Sequence, residues 1–146
     1  MEKIKFMVII SAVIFLAVLL TAFKSPLAKS SSVKEEAKIA LQKYVEAMNK
    51  KDIDTVTQLL DDQDYTDKKL QKEFYQREIQ NIKSLDVSIR EIQQESNEKV
   101  KIKTTVKLVE TTSGETVQDH TFTMIQTKDS WKVLRLPGSQ DENNQK

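Results

Sequence analysis

The sequence predicts an α+β fold, with helices first and a meander of antiparallel strands after them. Three observations carry this. Apolar residues recur every three or four positions up to about Ile82, then at every second position beyond it. Two glycines and two prolines among 146 residues leave a chain that is mostly regular helix and strand. Ahead of both patterns stands a charge-free and proline-free run, Met7–Phe23. Helices segregated from strands in this way pack on one face of an antiparallel sheet. The expected architecture is an N-terminal transmembrane helix, then three helices packed on a curved four-stranded antiparallel sheet.

The leader comes first. Lys3 and Lys5 precede the apolar run, as in a signal peptide or a signal-anchor. As a helix the run would reach roughly 25 Å, a little short of a hydrocarbon core of about 30 Å. Lys5 and Lys24 could snorkel to the headgroups at either end. A cleavage site needs two small residues in A-x-A spacing, but Leu20 stands at the first such position before Phe23 and Pro26 before Lys29. The reading is a retained single-span anchor in the cell membrane with the following domain outside, and the alternative is secretion after signal cleavage. The lysine-rich style is similar to that of Gram-positive exported proteins.

Residues 1–29 are read as anchor and linker, 30–136 as one extracytoplasmic domain and 137–146 as a polar disordered tail. The formal net charge is +1, and without the leader the acidic residues outnumber the basic by two. Such a domain is a poor phosphate binder, which argues against nucleic acid as a partner. No cysteine is present. That excludes disulfides, thiol catalysis, thiolate metal sites and a lipidated cysteine.

Within the domain, Val33, Ala37, Ala40, Leu41, Tyr44, Val45 and Met48 form one helical stripe, with Ser32 and Glu35 as a capping box. Asp52 is the N-cap of a second helix carrying Ile53, Val56, Leu59 and Leu60. Residues 62–67 read as a turn, with Asp61 beside them. A third helix capped by Thr66 carries Leu70, Phe74, Ile79 and Ile82. Leu85, Val87 and Ile89 then alternate, and Ile92 breaks the parity, which predicts a bulge or a strand end. Val100, Ile102, Thr104, Val106 and Leu108 alternate against Lys101, Lys103 and Lys107. Gly114 marks a hairpin turn, and the strands around Phe122 and from Trp131 follow.

In this order the chain resembles the nuclear-transport-factor-2-like superfamily. The resemblance rests on a long first helix ending in YVEAMNKKDIDTVTQLL and a closing strand TKDSWKVLRL, and it covers roughly Val33 to Leu136. It implies a cone fold, a strongly bent sheet wrapped around the helices. Superfamily members include isomerases and dehydratases, small-molecule binders and non-enzymatic modules, so the likeness does not by itself give a function. A single span followed by this domain is most similar to the non-enzymatic members of bacterial envelopes, such as type IV secretion assembly components and the amino-terminal domain of some penicillin-binding proteins.

Candidate chemistry is sparse. His120, the one histidine, shares parity with Phe122 and Met124. Facing inward beside Tyr44 and Thr104 it could act as a general acid or base, or it could be a half-exposed strand-end residue. Superfamily enzymes carry a pocket aspartate or a histidine–aspartate pair, whereas Asp119 points to the opposite face of a regular strand. No catalytic residue is assigned and no enzyme is expected. Asp61, Asp62, Asp64 and Asp67 lack the glycine and terminal glutamate of a calcium loop, so neither metal nor cofactor is expected. Two binding regions are left. One is a pocket of Tyr44, Thr104, His120, Phe122 and Met124 for a small apolar ligand. The other is a contact surface of Lys101, Lys103, Lys107 and Trp131 for an envelope protein or a second copy. A membrane-anchored binding module is the first reading. An exported small-molecule binder is the second, and a His-dependent isomerase- or dehydratase-like enzyme is the third.

Overall fold

The structure, a computed structural model, describes residues 26–137 and, from Ser32 onward, their side chains. The anchor Met7–Phe23 and the polar tail beyond 137 lie outside the described residues. Among the described residues no helix is long and apolar enough to cross a membrane.

Helix α1 runs Pro26–Lys50. It therefore begins inside the stretch expected as linker, with Pro26 in the first turn, where a missing N–H leaves no bond unmade. The expected capping box at Ser32 does not form. Ser32 Oγ instead donates to Glu36 Oε1 at 2.7 Å within the running helix. The predicted stripe is buried as expected: Val33, Ala37, Ala40, Leu41, Tyr44 and Met48, with Ala47 added and Val45 half-buried.

The helix stops at an unusual residue. Lys51 N–H donates to Met48 O and Asp52 N–H to Ala47 O, the paired bonds of a Schellman motif. The left-handed position falls on Lys51, with φ of 60°, where glycine is the common choice. Lys51 Nζ reaches Ile82 O, which ties the turn to the start of the sheet. Asp52 at once caps helix α2, Ile53–Gln58, through its carboxylate to Thr55 N and Oγ1. Those bonds from Thr55 hold the Asp52 carboxyl below its ordinary value.

Leu60 was expected on the second helix and Asp62 in a turn, with Asp61 beside it. They form a strand instead: β1, Leu60–Asp62, pairs in parallel with the last strand. The sheet accordingly has five strands, not four, in the order β1-β5-β4-β3-β2. So short a strand carries no alternation that a sequence could display, and it exists only because an unpaired edge lies beside it.

Helix α3, Lys68–Asn81, is capped by Asp67 and not by Thr66. Its buried face is Gln71, Tyr75 and Ile79, with Leu70 exposed. The expected stripe holds at Ile79 but is off by one at Leu70 and Phe74, where Gln71 and Tyr75 are the buried residues, Tyr75 with a polar end that meets buried Asp62.

The remaining strands are β2, Ile82–Gln94, β3, Lys99–Glu110, β4, Gly114–Gln126, and β5, Trp131–Arg135. Strands β2 to β5 form an antiparallel meander. The register of β2 slips between Ile89 and Glu91, so Arg90 is the extra residue of a bulge. Gly114 takes φ of 83° in the hairpin turn. The inward faces of β3, β4 and β5 join the α1 stripe in one core that includes Leu41, Tyr44, Val100, Ile102, Met124, Trp131 and Val133.

Lys51→Val should lower stability by about 1–2 kcal/mol, since a β-branched side chain is disfavoured in the left-handed region. Lys51→Asn should cost less, because asparagine tolerates that conformation. Urea unfolding of the two variants checks the order.

Candidate functional site

Two polar or hollow places stand out in the domain. The first is internal. Asp62 is buried on β1, and its Oδ2 accepts from the Tyr75 hydroxyl at 2.5 Å. Its Oδ1 accepts from the Asp64 backbone N–H at 3.0 Å. Arg135 Nη1 donates to the Tyr75 oxygen at 2.8 Å and lies 3.9 Å from Asp62 Oδ2. Burial pushes the Tyr44 phenol up to about 12, with Arg135 lowering it and Asp62 raising it. Burial and the bond to Asp62 raise Tyr75 as well. Asp62 has the depth a general base needs, but both of its oxygens are engaged by donors and a guanidinium. The group works as a polar clamp that fastens β1 and β5 to α3. The sequence reading missed it. Its signal was the inward parity of Arg135 with Trp131 and Val133, a charge on a face that is otherwise apolar.

The second place is a groove of about 380 Å³ between α1 and β2. Leu41 and Val45 from the helix and Leu85, Val87 and Ile89 from the strand give it an apolar floor, and Gln42, Glu46, Lys50 and Asp86 its rim. Glu46 and Lys50 pair across one helical turn at 2.5 Å. Asn49 sets the spacing at one end: its Nδ2 donates to Leu85 O at 2.7 Å and its Oδ1 accepts from Leu85 N–H at 2.8 Å. The carboxamide thus takes the place of a neighbouring strand for one residue.

The sequence-derived pocket residues lie elsewhere. Thr104, His120, Phe122 and Met124 do share the inward face of β3 and β4, as their parity predicts. Thr104 donates its hydroxyl to His120 O at 2.9 Å, and the His120 ring meets Phe122 edge-on at 4.6 Å. Met124 and Tyr44 are buried in the core. None of these five residues lines the α1–β2 groove.

The proposed contact surface divides in two. Lys101, Lys103 and Lys107 lie on the outer face of β3, each paired with a carboxylate: Glu95 at 2.6 Å, Glu91 at 2.9 Å and Glu115 at 3.1 Å. Trp131 is on the other face, 5% exposed, with its indole N–H directed to Glu36 Oε2. It is a core residue and not a surface one. Its alternation with Val133 fits either face of a strand, and only the packing of α1 decides between them. Among the described residues no cluster of histidine, aspartate and glutamate could hold a metal ion.

With this geometry established, comparison with known proteins gives three findings. The sequence pattern of the family described as NTF2-like N-terminal transpeptidase domain matches residues 36–135. No curated protein matches the chain. Solved structures with the same fold include an NTF2-like protein of unknown function from Shewanella oneidensis MR-1. It is 16% identical, with a TM-score of 0.55 over 68% of this chain and 93% of that one. They also include a ketosteroid isomerase-like protein from Erwinia carotovora atroseptica, 17% identical, with a TM-score of 0.51 over 68% and 89%. A protein of unknown function from Mycobacterium tuberculosis is 8% identical, with a TM-score of 0.57 over 77% and 73%. At these identities the likeness is one of fold.

The clamp gives two expectations. Tyr75→Phe should cost about 1–3 kcal/mol, because the buried Asp62 loses a donor. The raised Tyr44 phenol contributes stability in full below its unfolded value near 10, and this is lost as pH climbs toward 12. Urea midpoints measured between pH 9 and 12 should therefore fall for the native chain and fall less for Tyr44→Phe.

Proposed function

This chain belongs to the NTF2-like N-terminal transpeptidase domain family, and we propose on that premise that it is a binding module and not an enzyme. Met7–Phe23 holds it in the cell membrane, with the folded domain on the outer side. The domain takes an apolar segment of an envelope partner in the groove between α1 and β2.

The observation that carries this reading is the groove itself. Its floor of Leu41, Val45, Leu85, Val87 and Ile89 is apolar while its rim is charged, the usual composition of a binding cleft. The inner aspartate, by contrast, is engaged by Tyr75, Arg135 and its own loop, which suits a structural part. An exported binder of small apolar molecules is the runner-up, and the same groove would serve it.

A benzophenone side chain at Gln42 in the full chain, photolysed in cells, should yield a discrete protein adduct. The same group at Ile39, exposed on α1 outside the groove, should not. Val45→Arg should cut the Gln42 adduct by about tenfold in a domain that still folds, as a cooperative melting transition checks. Absence of any Gln42 adduct would remove the envelope-partner reading. Full-length mass in the detergent-extracted membrane fraction is expected for an anchored chain, and a shortened, freely released chain would remove the anchor.

A further inference from the structure

Strand β2 is an edge strand, bonded to β3 alone. In an antiparallel pair, alternate residues direct both N–H and C=O to the same side. Leu85 directs both to Asn49, away from β3. Val87 and Ile89 share its parity and its type of pairing, opposite Val106 and Thr104. Their N–H and C=O groups therefore point to the open edge, four main-chain hydrogen-bonding groups in a row beside the groove that their own side chains line.

The window is bounded at both ends. Asn49 already occupies Leu85, and at the other end the bulge at Arg90 breaks the regular pairing. Between these ends helix and strand run antiparallel over matched lengths: Leu41 to Asn49 spans about 12 Å and Leu85 to Ile89 about 13 Å. A segment of roughly four extended residues fits this length.

We propose that β2 accepts an extended peptide as an added strand between itself and α1, one whose apolar residues alternate with basic ones. This rests on the groove being the binding site. Every second side chain of the added strand enters the floor formed by Leu41, Val45, Val87 and Ile89. The intervening side chains fall on the outer face, beside Asp86. Lys107, the cross-strand neighbour of Asp86, is held by Glu115 at 3.1 Å, and Lys50 on the rim is held by Glu46. Asp86 is thus the acid that a lysine or arginine of the peptide would meet. Main-chain bonds supply affinity and the alternate pockets supply selectivity, as in other strand additions. The polar residues 138–146 of this chain lack the alternating apolar side chains such a site needs.

The test is amide hydrogen exchange read by NMR on the full chain in detergent micelles, with acetyl-Val-Lys-Val-Lys-Val-amide as probe. Exchange at Val87 and Ile89 should slow by about tenfold or more at saturating peptide, with Ser88, already bonded to β3, unchanged. A peptide with glutamate in place of lysine should bind about tenfold more weakly, and Asp86→Lys should reverse that preference. Val87→Pro deletes an edge N–H without touching the ladder and should weaken binding by about tenfold. Should that variant misfold, the probe N-methylated at alternate residues asks the same question of the native chain, and equal affinity would overturn strand addition. Perturbed Leu41 and Val45 methyl groups without slowed exchange at Val87 and Ile89 would also overturn it, as would no response to the probe while the Gln42 adduct persists. In both cases groove binding would stand. Protection of both amides that rises with protein concentration alone would assign the edge to a second copy and overturn the peptide.

Discussion

The burial of one stripe of α1 against the inner face of the sheet is the constraint from which the rest of the domain follows. Ala37, Ala40 and Ala47 are small enough to let the helix backbone approach closely, while Leu41, Tyr44 and Met48 fill the space around it. Each large apolar side chain removed from water contributes roughly 1.5–3 kcal/mol. No disulfide assists, so this packing must carry the fold. With the stripe in place the helix can end only where the chain turns back, at Lys51, and the turn is held by the bond of Lys51 to Ile82 and of Asn49 to Leu85. The groove is a consequence. A cylinder laid along an edge strand and pinned at one end leaves a cleft along the remainder.

The polar groups divide by location into those that stabilise and those that remain open to a partner. Inside, Asp62, Tyr75 and Arg135 satisfy one another, and breaking the set would leave a charge buried alone, which is why it resists change. On the outer face of β3 the lysines are paired with glutamates, and exposed pairs of this kind contribute little each. Their effect is a sheet face with balanced charge. Natural sheets protect long edges from chance pairing by charges, bulges or cover, and β2 uses all three in part: the Arg90 bulge, the exposed Asp86 and the Asn49 carboxamide. That leaves Val87 and Ile89 as a short, defined opening.

Membership in a superfamily that hosts both enzymes and binders fixes the scaffold and leaves the chemistry to particular side chains. Here the inward layer of the sheet is occupied by Phe122, Met124, Ile102 and Tyr44. The proposed binding groove lies at the rim instead, where helix and edge strand meet. The same scaffold can serve a different use because the open edge of β2 and the interior between α1 and the sheet are separate surfaces.

Periodicity alone determined the three helices, the meander and the inward parity of Thr104, His120, Phe122 and Met124, while at Ile92 it left a bulge and a strand end both open. These depend on neighbours three or two residues apart, and a sequence records such neighbours directly. Tertiary structure decided the rest. Strand β1 forms because β5 offers an unpaired edge beside it. Tyr75 turns inward because Asp62 and Arg135 meet its hydroxyl there. Trp131 is core because α1 covers its side of the sheet. The groove between α1 and β2 joins residues some forty positions apart and depends on an asparagine bonding to a strand edge. No local pattern encodes that contact, since its energy exists only once both partners have been brought together.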